Sequence, residues 1–183
     1  MKANRSVQRI WCLTASNSAK NLEGFIITSM TYNETKLLHW RSQTSRKSGE
    51  MWSGDLDIDD LTETNAIMVS EPTLACCLVG PSLIQITPRG VYLNGVAAKE
   101  VTVEERIVQA SILDHDLALL LYHQSGSWGL LHLCAIESNP TEPRIEIQEI
   151  HQTTFTQEVS TLKLLEYRYF PLVFDLHLQW HCR

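Results

Sequence analysis

The sequence predicts an all-β protein, a partial β-propeller of three to four four-stranded antiparallel blades. Three observations predict it. Apolar runs of four to eight residues recur between turn formers, the pattern of buried strands rather than helices. The runs come in pairs separated by short turns, which reads as hairpins. The hairpins recur: with Ile26, Cys77, Leu119 and Val173 as centres of the buried strands, the intervals are 51, 42 and 54 residues, against about 40–50 residues for a propeller blade. A β-sandwich or a lipocalin-like barrel is the structural alternative at this length.

Each element follows from local chemistry. Val7 to Leu13 reads as an opening strand. Phe25-Ile26-Ile27 precedes a turn around Asn33-Glu34 and a second strand from Lys36 to Trp40. Residues 42–54 read as an exposed loop insertion, polar from Ser42 to Glu50 and the segment where disorder is expected. Ala75 to Val79 meets Gly80-Pro81-Ser82 and then Leu83 to Ile86. Leu117 to Tyr122 meets Ser125-Gly126-Ser127 and then Gly129 to Cys134. Weaker strands completing the blades are expected at Val101 to Val103, Arg144 to Ile150 and Thr161 to Leu165. Near the end, Leu172, Phe174, Leu176, Leu178 and Trp180 alternate with Val173, Asp175, His177, Gln179 and His181, giving one apolar face. Only Val103 to Leu113 has a helical reading, and Val101 to Val108 is too β-branched to favour it.

The 183 residues carry 44% hydrophobic side chains and a formal net charge of −6. That composition fills a core and offers no overall electrostatic attraction to nucleic acid, so direct nucleic-acid binding is not expected. No apolar run approaches the roughly 20 residues of a membrane helix, and the first residues lead into no secretory signal. The cysteines, Cys12, Cys76, Cys77, Cys134 and Cys182, are odd in number. They read as reduced thiols packed as small hydrophobes, which points to the nucleus or cytoplasm.

Chemical motifs are few. Asp55, Asp57, Asp59 and Asp60 open like a calcium loop, but the required Gly and Glu positions hold Asp60 and Ala66, so calcium binding is not expected. His177, His181 and Cys182 cluster at the end, yet two strand residues four apart are separated by roughly 13 Å and cannot share an ion. His39, His132 and His177 read as half-buried strand residues with one nitrogen bonded to backbone. Asp114-His115-Asp116, the compact acid/base triplet, reads as a tight turn. Trp11, Trp40, Trp52, Trp128 and Trp180 read as packing residues. The chain lacks a Gly-x-Ser-x-Gly elbow, a phosphate-cradling glycine loop and a His-Glu-x-x-His pair. Catalytic, cofactor and metal residues are therefore none.

Specific stretches resemble a known family. These are Val7 to Leu13, Gly24 to Ser29 with Asn33 to Leu38, the acidic Asp55 to Glu63, and above all Pro72 to Gly80 continuing through Leu83 to Tyr92. Ile107 to Ser111 is similar to the strand that opens the family's next blade. Together they resemble the second β-propeller region shared by three large scaffolds: the large subunit of damaged-DNA-binding protein, the large subunit of cleavage and polyadenylation specificity factor, and the propeller subunit of splicing factor 3b. The resemblance runs from about Val7 to Leu133 and fades through Trp180. Ser42 to Trp52 is longer and more basic than the family pattern. Ser127-Trp128-Gly129 is more similar to the polyadenylation subunit, and Pro72 to Gly80 to the splicing one.

The resemblance implies a non-catalytic protein-interaction scaffold. It would be either a ubiquitin-ligase adaptor in DNA repair or chromatin, docking a cullin-type scaffold, or a subunit of an RNA-processing complex. Residues 1–183 would then form about half of a propeller whose remaining blades are also partners, in the nucleus or also the cytoplasm. The alternative from another class is an autonomous barrel or sandwich that binds a small apolar ligand in a pocket lined by Trp and Leu.

Overall fold

The computed structural model describes residues 7–17, 21–30, 34–45, 53–64, 66–137, 145–156, 159 and 162. The chain forms three four-stranded antiparallel sheets, each a simple meander of consecutive strands. The first contains β1 (Val7–Asn17), β2 (Asn21–Met30), β3 (Thr35–Ser45) and β4 (Ser53–Asp60). The second contains β5 (Ala75–Val79), β6 (Ser82–Thr87), β7 (Gly90–Leu93) and β8 (Val96–Glu100). The third contains β9 (Glu105–Leu113), β10 (Asp116–His123), β11 (Trp128–Glu137) and β12 (Ile145–Phe155). The described residues contain no α-helix, only a 3-10 turn at Thr62–Thr64.

Turn chemistry sets the meanders. Gly80 takes a φ of 56° ahead of Pro81, and Asn94-Gly95 takes 47° and 79° between β7 and β8. The second pair is the positive-φ combination that a two-residue hairpin favours. Asp114, at φ 52°, opens the turn between β9 and β10, so the Asp114-His115-Asp116 triplet does form a turn, as its residue types require. Gly90 is needed for packing: a Cβ there would strike the Lys99 carbonyl oxygen on β8 and lie 3.1 Å from the Glu100 Cα.

The sheets stack face to face in chain order. Ile27 and Leu37 of the first sheet meet Cys76 and Leu83 of the second, with Ile67 between them. On its other side the second sheet offers Ile84, Ile86 and Val91 to Leu117, Leu119, Leu121, Leu131 and Leu133 of the third. The far face of the third sheet, Ala118, Leu120 and Leu130, is covered by Val159 and Leu162. Every residue from Leu117 to Leu121 is consequently buried, because successive side chains enter different cores. The first strands lie near one another, β1 against β5 and β5 against β9, and Arg9 Nη1 donates to the Leu74 carbonyl at 3.0 Å. The outer strands of the second and third sheets are bridged by Lys99 Nζ and Glu149 Oε2 at 2.9 Å.

A buried polar chain pins the first sheet to the second. Gln85 on β6 accepts from the Met68 N–H at 2.7 Å and donates to the Met68 carbonyl at 3.0 Å and to Thr73 Oγ1 at 2.8 Å. Thr73 in turn shares a 3.0 Å hydrogen bond with Thr35 on β3. All three residues are buried, so every partner matters. Gln85→Leu leaves the Met68 N–H and carbonyl without this partner, and a loss of about 1–3 kcal/mol is expected in urea unfolding.

Several expectations change. Ile26 and Leu119 lie on the second strands of their sheets, but Cys77 lies on the first strand of its own, so these residues are not equivalent. Strand β6 is buried at all six positions, and it is the true counterpart of β2 and β10. The loop insertion at 42–54 shrinks, since Ser42 to Ser45 pair with Leu56 to Ser53 in the β3–β4 ladder. Val101 to Val103 is not a strand; it is a connection in which Thr102 N–H and Oγ1 both donate to Glu105 Oε2 at 3.1 Å. Of the expected strand from Arg144 to Ile150, Ile145 to Ile150 is present and continues to Phe155 as β12, and Arg144 lies outside the described residues. The opening strand expected at Val7 to Leu13 runs on to Asn17, and its register with β2 shifts between Val7 and Arg9 and between Thr14 and Ser16. Of the expected strand at Thr161 to Leu165 only Leu162 is described, and Leu172 to Trp180 lies outside the described residues.

Candidate interaction surfaces

Two surfaces carry more chemistry than the rest. The first is a cleft of about 1050 Å³ at the seam between the second and third sheets. It is built from connections and strand ends: the segment before β5, the β6–β7 turn, the β8–β9 link with the strand ends that flank it, and the end of β10. Backbone hydrogen bonds fix these pieces, including Ile107 N–H to the Pro88 carbonyl at 2.8 Å and Val101 N–H to the Arg89 carbonyl at 2.9 Å. Glu71, Arg89, Glu100, Glu104, Glu105 and Arg106 line it. Neither Trp nor Leu does; Pro72, Pro88, Val101, Val103 and Tyr122 stand among these charges, so the wall is mixed rather than the predominantly apolar lining typical of a small-ligand site.

Three of these charged side chains are already engaged. Glu71 Oε1 meets Arg89 Nε at 3.0 Å, and Glu105 Oε1 lies 3.3 Å from His123 Nδ1. Glu71 Oε2 and His123 Nε2 are buried without a hydrogen-bond partner, but both atoms are closed off from the cleft's solvent. Burial, and then the Glu71 and Glu100 carboxylates, push the neighbouring Tyr92 phenol up.

The second surface is the outer face and free edge of the first sheet. Register places Ile10 and Cys12 on β1, Ile26 on β2, Leu38 and Trp40 on β3, and Leu56 and Ile58 on β4 on one side of the sheet. This is the side away from the second sheet, which Trp11, Leu13, Phe25 and Ile27 face. Ile10 is 61% exposed, Leu56 62% and Ile58 49%. Among the described residues nothing covers this face, in contrast to the second sheet, which is enclosed on both sides. On the opposite side of β4, Arg41 Nη2 contacts Asp57 Oδ2 at 3.0 Å and Asp59 Oδ2 at 2.8 Å. Asp60 Oδ1 accepts the Thr62 N–H at 2.9 Å. These Thr62 hydrogen bonds hold the Asp60 carboxyl below its ordinary range. The aspartates are thus employed as ion-pair and turn partners.

The histidines depart from expectation in their partners. His132 Nε2 contacts the Asp116 carboxylate at 3.1 Å, and His39 lies 3.9 Å from Glu23 and stacks on Phe25. Among the described residues neither ring has a backbone hydrogen-bond partner, whereas His115 Nδ1 meets the Ala135 carbonyl at 3.2 Å. His177, His181 and Cys182 lie outside the described residues. Trp11 packs in the core between the first two sheets, and Trp128 meets Tyr122 edge-on at 5.1 Å. Trp52 and Trp180 also lie outside the described residues.

Asp116, His132 and Cys134 bring the residue types of a nucleophilic triad onto adjacent strands. Burial and the Asp116 charge push the Cys134 thiol up, the reverse of the activation a cysteine nucleophile needs. Burial likewise raises Cys77 to about 11 from 9.0, and raises Cys76 further. The unfolded chain therefore loses the Cys77 proton first as pH climbs. Stability linked to this thiol is intact below pH 9 and is lost as pH rises from 9 towards about 11. Replacing Cys77 by Val is expected to flatten the fall in melting temperature across that alkaline window.

Comparison with protein-family models, curated proteins and solved structures returned no match for the chain.

Proposed function

We propose that this chain is a run of β-propeller blades within a scaffold that holds other proteins together and transforms nothing chemically. The observation that carries the reading is the stacking. Three meander sheets lie face to face in chain order, with the first strand of each near that of the next. This is the local geometry of neighbouring blades. The open apolar face of the first sheet is then the seat of a further blade, since stacked sheets bury their apolar faces against one another. The likeness of Pro72 to Tyr92 to the large repair and RNA-processing scaffolds supports the partner class: a cullin-type scaffold, or subunits of an RNA-processing complex, in the nucleus.

Affinity purification of the protein in its native full-length context, followed by mass spectrometry, tests the reading. Stoichiometric recovery of one of those two assemblies is expected. Recovery of neither class, from extracts in which the tagged protein is folded, overturns it.

A further inference from the structure

We propose that the free edge of β4 receives an extended segment of a partner protein whose sequence alternates basic and apolar residues, adding a fifth strand to the first sheet. Among the described residues β4 pairs only with β3. Its outer row of backbone N–H and carbonyl groups is therefore a template for strand addition.

The side chains on either side of that row select the partner. On one side stand Asp57 and Asp59, and among the described residues one guanidinium, that of Arg41, is shared between the two carboxylates. Among the described residues one negative charge is left over there, and β4 contains no Lys or Arg; its last aspartate, Asp60, lies on the other side, opposite Leu38. On the other side stand Leu56 and Ile58, both about half exposed or more and continuous with Trp40 and Leu38 through the ladder register. An incoming strand also alternates its side chains. Lys or Arg at every second position would meet the aspartates, and the residues between would extend the apolar face.

Charge decides among the possible occupants. A second copy pairing through its own β4 would set aspartates against aspartates, and like charges on adjacent strands are destabilising. The chain's own Leu172 to Trp180 carries Asp175 and contains no Lys or Arg, so it cannot supply the cations. A basic, apolar-alternating segment gains on both sides at once. The argument requires only the first sheet and its open edge, and does not depend on the propeller reading.

Fluorescence anisotropy with the full chain, held at low concentration, tests it. The probe is a labelled eight-residue peptide of alternating Lys and Val. Two further versions carry N-methyl groups, one at the Lys positions and one at the Val positions. Only one edge of the peptide bonds to β4, so one methylated version is expected to bind as the parent does. The other loses several backbone hydrogen bonds and is expected to bind at least about tenfold more weakly. Asp57→Asn with Asp59→Asn, at exposed positions, is expected to weaken the parent peptide, and a peptide with Asp in place of Lys is expected not to bind. Equal binding of both methylated versions would reduce the effect to charge attraction and overturn strand addition, as would no binding of the parent peptide.

Discussion

Leu119→Ala is expected to remove about 2–5 kcal/mol of folding stability, the range for a leucine truncated in a closed core. Leu119 is fully buried on β10, opposite Leu131 on β11 and Ala110 on β9. Its side chain belongs to the core shared by the second and third sheets, with Ile84, Ile86 and Val91 on the far wall. A cavity there cannot be filled by one neighbour turning inward, because the surrounding strands are fixed by ladder hydrogen bonds on both sides of β10. Urea unfolding measures the loss. If the two sheets form one cooperative unit, the midpoint falls without a change of slope. Leu120→Ala is the comparison: Leu120 points the other way, into the core with Leu130, Val159 and Leu162. Leu119→Ala costing less than about 1 kcal/mol would mean that the second and third sheets are not packed on each other as described.

The hairpins were legible because their turns have obligatory chemistry. Gly80-Pro81 and Asp114-His115 stand between apolar runs, and both form turns in the fold. Strand equivalence was not legible. The run Ala75 to Val79 is as apolar as Leu83 to Ile86, since the second sheet is covered on both faces and neither strand alternates. Periodicity thus marked β5 where β6 was the counterpart. Ser42 to Ser45 read as loop because polar residues dominate it, although a solvated strand is polar as well. Val101 to Val103 has strand composition, yet Glu105 captures both donors of Thr102 and turns the chain there.

The surfaces were harder to read than the strands. The alternation from Asp55 to Asp60 is plain in the sequence, but its meaning depends on Arg41, which reaches Asp57 and Asp59 across the β3–β4 ladder. The cleft joins connections that range from Ser70 to Gln124 and leaves no local signature. The paired histidines follow the same rule. Asp116 and His132 become neighbours only once β10 and β11 are in register.

The isolated 183-residue chain is expected to self-associate in solution, and the open face of the first sheet is the reason. Ile10, Leu56 and Ile58 are each about half exposed or more, and Ile26, Leu38 and Trp40 lie between them on the same side. A contiguous apolar surface of this kind marks an interaction site or an aggregation hazard. The register shifts in β1 and the aspartates of β4 disfavour pairing of the strand edges with a second copy, but they do nothing for the face. Light scattering coupled to size exclusion is expected to give a mass above the 20.8 kDa of one chain. Ile10→Lys with Ile58→Lys places two like charges on that face and is expected to return a single-chain mass. Both side chains are largely solvated, so the melting temperature of the double variant should stay close to that of the parent. A lysine pair on β8, at Val96 and Ala98, is the control. It leaves the first sheet's face intact and should leave the association unchanged. A parent chain that runs as a monodisperse, cooperatively melting monomer would mean that the face needs no cover. The blade reading would then give way to a self-contained β fold.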